Sequence, residues 1–184
     1  MPRVADDILI GGYRVFIVEG QEKNELGWMS GEAKIEEQAS SLTVKESEGG
    51  TVLTVATNKE VHMTFSLLEC NRDTIIKLNP SATAITLSGE GSSTGGKGFA
   101  VGTFQSDKTF VIELWHKKRS GKYLCNRFYK GKISGNFTSF LINQDNESPI
   151  AIDIVAMADD TKDTNQNIYE QIEYEAAQAP GGGW

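Results

Sequence analysis

The segment from Asn58 to Leu78 constrains the fold most, because a period of two gives way there to one capped turn of helix. From Glu60 to Leu67, Val61, Met63, Phe65 and Leu67 fall on one face and Glu60, His62, Thr64 and Ser66 on the other. That alternation is a strand buried on one side. Asn71 can then cap a helix with Asp73 in its first turn, where a carboxylate suits the positive end of the helix dipole. Ile75, Ile76 and Leu78 are available for burial, and Pro80 stops the helix after Asn79.

A chain of 184 residues suits one domain, and a hydrophobic content of 39% with 19 glycines points to many short strands and turns. The formal net charge of -7 gives no general footprint for nucleic-acid binding. One basic cluster, Lys117, Lys118, Arg119, Lys122, Arg127, Lys130 and Lys132, straddles the turn signal Ser120-Gly121 and reads as solvated hairpin ends. Cys70 and Cys125 have no partner at metal-ligand spacing. The first residues lack a secretory hydrophobic core, and no run approaches the ~18 apolar residues of a membrane span. A cytosolic site of assembly, with no membrane partner, is the expectation.

Strand patterns recur along the chain. Tyr13, Val15 and Ile17 alternate with Arg14, Phe16 and Val18, after a break at Gly11-Gly12. Ala33 and Ile35 alternate with Lys34 and Glu36. Ala39 to Gly50 turns to Ser, Glu, Lys and Gly around Leu42-Thr43-Val44 and is expected to be a projecting loop or hairpin ending at Gly49-Gly50. Thr51 to Leu67 returns to strand character with an interruption at Asn58-Lys59. Further strands are expected at Thr83 to Leu87, Phe99 to Phe104, Phe110 to His116, Tyr123 to Phe128, Lys132 to Phe140 and Ile150 to Ala156, with a loop at Ser88 to Gly98. Ile168, Glu170, Ile172 and Tyr174 fit a strand or a helix, with a strand favoured. Residues 176 to 184 are expected to form a flexible end.

Reaction chemistry fails on context. Gly91 to Lys97 matches the start of a phosphate-binding loop, but Gly98 stands where the Ser or Thr belongs and the following residues are strand-like. His62 and His116 sit within alternating strands, away from any loop nucleophile. Glu36, Glu37, Glu60 and Asp153 read as a solvated acidic face, and Asp159, Asp160 and Asp163 do not complete a calcium loop. No enzyme activity and no cofactor are expected.

The order of these features resembles the tail tube (major tail) proteins of long-tailed bacteriophages. The points of resemblance run from the first strand and the polar segment Ala39 to Gly50, through the Thr57 to Leu68 strand and the short helix at Glu69 to Ile76. They end with Gly121 to Gly135 and a closing strand, Ile150 to Ala158, followed by Asp159. The secreted tubes of type VI systems share this layout.

The resemblance implies a mainly β fold, in which two packed antiparallel sheets form a β-sandwich with one short flanking helix, as a single domain over residues 1–184. Inner sheets of six subunits would join in a ring, closing their edges into a barrel. Lys34, Glu36, Glu60, His62, Thr64, Ser66 and Asp153 would line the channel, and Ser40, Leu42, Val44, Glu46 and Glu48 would lie on the loop reaching the next ring. The implied partners are further copies of the chain, other tail proteins, and DNA passing without specific binding. The implied location is the tail of a virion assembled in a bacterial cytoplasm. The competing expectation is a stand-alone β-sandwich module binding carbohydrate or protein, with Trp28 or Trp115 as a stacking platform.

Overall fold

The structure, a computed structural model, describes residues 9–27, 29–45, 51–68, 72–79, 81–87, 96–103, 108–134, 149–164, 166–176 and 180. Its elements in chain order are β1 (Leu9–Glu19), β2 (Glu22–Glu25), β3 (Met29–Lys45), β4 (Thr51–Leu67), α1 (Arg72–Leu78), β5 (Ala82–Leu87), β6 (Gly96–Val101), β7 (Phe110–Lys118), β8 (Tyr123–Ile133), β9 (Ile150–Met157) and β10 (Tyr169–Tyr174). All pairings are antiparallel. The mainly β expectation, with two antiparallel sheets and one short helix, therefore holds.

One sheet has eight strands in the order β2-β1-β7-β8-β9-β4-β3, with β10 also on β8, and β5 and β6 form a separate ribbon. The layering arises at β8. One of its edges pairs with β7, while the other is divided, Tyr123–Phe128 taking β10 and Lys130–Ile133 taking β9. The strands on either side of that fork form two layers facing each other. Val15, Ile17, Ile112, Leu114 and Phe128 from one layer share a core with Val61, Met63, Phe65, Ile152 and Ile154 from the other.

Burial follows the alternation of β4 and β9. Val61, Met63, Phe65 and Leu67 are buried while Glu60, His62, Thr64 and Ser66 are not, and Ile150, Ile152, Ile154 and Ala156 are buried on β9. Each such side chain contributes about 1.5–3 kcal/mol on leaving water. Leu78 of α1 joins the same core, and Thr74 donates a hydrogen bond to the Leu26 carbonyl at 3.2 Å, so the helix closes one end of the sandwich. At the fork, a Cβ on Gly131 would stand 2.9 Å from Ile154 Cγ2. Only glycine lets β8 and β9 approach this closely there.

Several boundaries differ from expectation. Of the loop or hairpin expected from Ala39 onward, the hairpin is what forms, with its first strand running through Lys45: Leu42 pairs with Val55 and Val44 with Leu53. Thr43 and Val44 favour a pleated backbone. Ser40, Leu42 and Val44 thus lie on β3, whereas Glu46, Glu48 and the turn at 46–50 fall outside the described residues. The Asn58-Lys59 interruption is a register shift within a continuous β4, leaving Thr57 as the extra residue between the Ser40–Asn58 and Ser41–Ala56 pairs. β8 runs unbroken through Gly131 to Ile133, and 135–140 are not described. Gly96 to Gly98 belongs to β6, and the favoured strand near the C-terminus is β10.

Candidate functional site

Antiparallel register decides which side chains share a face. Thr64 pairs with Lys34 on one side and Asp153 on the other, His62 with Glu36 and Val155, Ser66 with Ser30 and Ala151, and Glu60 with Gln38. Lys34, Glu36, Glu60, His62, Thr64, Ser66 and Asp153 therefore stand together on the face of the β3–β4–β9 layer turned away from the core. Gly31, at φ 68°, lies in the β3 register shift between Ser30 and Lys34, upstream of these side chains.

The face is polar and mixed in sign. Lys34 Nζ lies 2.6 Å from Glu36, His62 Nδ1 lies 3.0 Å from Asp153, and His62 Nε2 lies 3.9 Å from Glu60. These groups are partly to largely exposed, so each pair contributes little to stability. On the opposite side of β3, Glu37 pairs with Lys59 at 2.6 Å and accepts a hydrogen bond from Tyr169, which ties β3 to β10. The contacts with Lys59 and Tyr169 hold its carboxyl below the usual glutamate range.

Beyond this face the hairpin continues alone. β4 pairs with β9 only from Val61 to Leu67, while β3 and β4 pair with each other to Lys45 and Thr51. Among the described residues no third strand flanks Gln38–Lys45. At about 3.3 Å per residue, these strands extend some 25 Å past the two-layer body.

The other outward face, on β1, β7, β8 and β10, is closed. Phe16, Trp115, Tyr123 and Cys125 are buried there, and Tyr174 stacks on Trp115 with ring centroids 4.9 Å apart. Glu113 is fully buried among them, 2.8 Å from Lys23 Nζ and 2.7 Å from Arg127, and it accepts a hydrogen bond from Trp115 Nε1 at 2.7 Å. Burial pushes this carboxyl up, but Lys23, Trp115 and Arg127 together outweigh it and hold it below the usual range. Burial, reinforced by Glu113, drives the Cys125 thiol up to about 12. Trp115 is thus no exposed stacking platform, and Trp28 lies outside the described residues.

The basic cluster is not simply solvated. Lys118 and Lys122 pair with Glu173, Lys122 also with Glu175 at 3.0 Å, Arg127 with Glu170 at 3.0 Å, and Lys130 with Asp159 at 3.5 Å. Acids from the last strand and its approach neutralise it. The signal readable beforehand was the matching run of acids, Glu170, Glu173 and Glu175, spaced along one short strand pattern.

Between the layers, beside β3, lies a cleft of about 520 Å³ lined by Tyr13, Ile35, Leu114, His116, Asn126 and Gln171 among others. Burial holds the His116 imidazole below its ordinary value. Lys97 lies on β6 opposite Thr86, so the Gly96–Gly98 end of the glycine-rich segment is strand and not the start of a helix, while 88–95 fall outside the described residues. Among the described residues no group of three or more His, Cys, Asp or Glu could hold a metal ion, and no helix is long and apolar enough to cross a membrane.

No family model and no curated protein matches the chain. Among solved structures it is similar to the tube terminating cap of the anti-feeding prophage, seen by cryo-electron microscopy. That similarity has 12% identity over 84% of this chain and 94% of that one, with a TM-score of 0.39.

Proposed function

We propose that this chain is a structural subunit of a phage-type tail tube, in which six copies join their β3–β4–β9 layers around a channel and rings stack through the β3–β4 arm. The arm is the observation that carries the reading. A two-stranded ribbon is marginal in water by itself, so one that outruns its own sheet draws its packing from another subunit. The outer edge of β3, unpaired among the described residues, is the second support, because an open strand edge of this length invites pairing and ring closure removes it.

In this reading Lys34, Glu36, Glu60, His62, Thr64, Ser66 and Asp153 line the channel. Glu36, Glu60 and Asp153 outnumber Lys34, and a wall of this character lets a duplex pass without the counterion release that would hold it. The location is the tail of a particle, and the other partners are further tail proteins. Negative-stain microscopy of the purified chain over a range of concentrations tests the proposal: rings or tubes are expected, and a uniform monomer at every concentration overturns it. A type VI-like tube would also give tubes, but these would assemble without any other phage component in the particle.

The inter-layer cleft favours one alternative, a stand-alone binding module whose ligand contacts His116, Asn126 and Gln171. Its volume lies within the range of small-molecule sites. A monomer whose His116 resonances shift on addition of oligosaccharides would establish the module in place of the tube.

A further inference from the structure

β10 differs from the other strands that line the core in how it is held. Every residue of it is half-buried or exposed, whereas β4, β7, β8 and β9 each bury several side chains. It sits on β8 in register from Tyr169–Phe128 to Tyr174–Tyr123, with Ile172 opposite the buried Cys125. What fastens it is the backbone ladder, two aromatic contacts and charge. Tyr174 stacks on Trp115 and Tyr169 packs edge-on against Phe128 at 5.6 Å. Glu170, Glu173 and Glu175 meet a basic rim of Arg127, Lys118 and Lys122.

A strand with no fully buried side chain opens at lower cost than the body of the fold. The connector before it is held to itself and to β8 by turn hydrogen bonds, such as Asp159 N–H to the Asn167 carbonyl at 2.7 Å, by the Lys130–Asp159 pair and by Ile168 against the core edge. Its release leaves the Tyr123–Phe128 edge of β8 unpaired beside a ready-made basic rim. The complementary acidic, aromatic strand is present in every copy of the chain.

We propose that the Tyr123–Phe128 edge of β8 is an exchangeable docking edge for an acidic, aromatic strand, occupied here by the chain's own β10 and open to the β10 of a second copy. The inference stands apart from the tube reading, since a monomer could show it and a tube could lack it.

Cys125 reports the event, because Ile172 of β10 pairs with it and Tyr174 packs on the cluster that buries it. In a full-length Cys70→Ser chain, labelling of Cys125 by a methanethiosulfonate reagent is followed under native conditions, alongside the same chain carrying Glu170→Gln and Glu173→Gln. Removing these carboxylates should speed labelling about tenfold, with a urea dependence much shallower than that of global unfolding. A synthetic peptide spanning residues 167–176, in excess, should then slow labelling of the double variant at least about threefold in 50 mM salt, and much less in 1 M salt. A scrambled peptide should not. Labelling of both chains at the rate and urea slope of global unfolding overturns the release. A peptide that slows labelling no more than its scrambled form overturns the exchange.

Discussion

The two outward faces of this sandwich are made by the same rule of alternation and end in opposite states. On the β1–β7–β8–β10 layer the outward side chains include Phe16, Trp115, Tyr123 and Cys125, closed over by Tyr174 and centred on the buried Glu113. On the β3–β4–β9 layer they include Lys34, Glu36, Glu60, His62, Thr64, Ser66 and Asp153, mostly polar and partly to largely exposed, with Val155 and Met157 beside them on β9. The first face completes itself within one chain. The second is unfinished, and it is continuous with the arm, where β3 and β4 pair with each other and, among the described residues, with no third strand. A surface sealed by its own side chains tolerates little change, whereas an open polar face tolerates change and is free for a role in assembly.

The sharpest way to break this contrast is Glu113→Ala. It strands Lys23 and Arg127 beside a buried indole N–H that has lost its acceptor. The expected loss is about 3–5 kcal/mol in urea unfolding, the usual cost of breaking a buried ion pair on one side. Acid should probe the same group. Its folded value lies below the ordinary 4.5, so its contribution is present above about pH 4.5 and is lost as pH falls through the folded value. The wild-type chain should therefore show a steep acid loss that the alanine variant largely lacks, and parallel pH profiles would remove Glu113 from the account.

Next in size is Gly131→Val at the fork where β8 leaves one layer for the other. Its branched side chain must displace Ile154 and the neighbouring Ile112, and overpacking of this kind costs about 1–3 kcal/mol. A thermal melt unchanged from wild type would mean that the layers can part at β8 without strain.

How far this contrast can be read from the residues alone depends on where the information lies. The core register of β4 and β9 is legible because alternation within one strand decides it, and the seven polar residues follow as the other half of the same pattern. β2 is not legible, since Glu22-Lys23-Asn24-Glu25 offers no apolar residue and forms a strand only by pairing with β1. The arm resembles a loop in composition, since Gln38 to Ser41 are exposed on both faces, and its strand character comes from its own hairpin partner. The pairing of His62 with Asp153 joins positions 91 residues apart, which no local pattern encodes. The Glu113 cluster left one hint: Trp115 stands opposite Phe110, Ile112 and Leu114, so β7 carries large apolar surface on each face and needs cover on both.

Shortening the arm sharpens the comparison from its other end. Replacing Ser40 to Glu48 with a short Gly/Ser linker removes β3 pairing that touches only β4, so the β-rich circular dichroism and cooperative unfolding should persist with a stability change below about 1 kcal/mol. Stacking of rings should be lost. Tubes of wild-type length after that replacement would remove the arm from the assembly.

The smallest expected effect lies on the open face itself. Asp153→Asn keeps the size of the side chain and still offers His62 an acceptor at 3.0 Å, while deleting one negative charge from a group that is more than a third exposed. Stability should change by less than about 0.5 kcal/mol, because an exposed pair loses in side-chain entropy and solvation much of what it gains in attraction. Six such changes per ring would nonetheless alter the field along a shared channel, where like charges from neighbouring subunits add. Assembled variant tubes should therefore retain duplex DNA at low salt more than wild-type tubes do, and Asp153→Lys should retain it more strongly and with a steeper salt dependence. Equal, weak retention by all three tubes would place Asp153 away from the channel wall. A large loss of stability in Asp153→Asn would show that this face, like the other, is sealed.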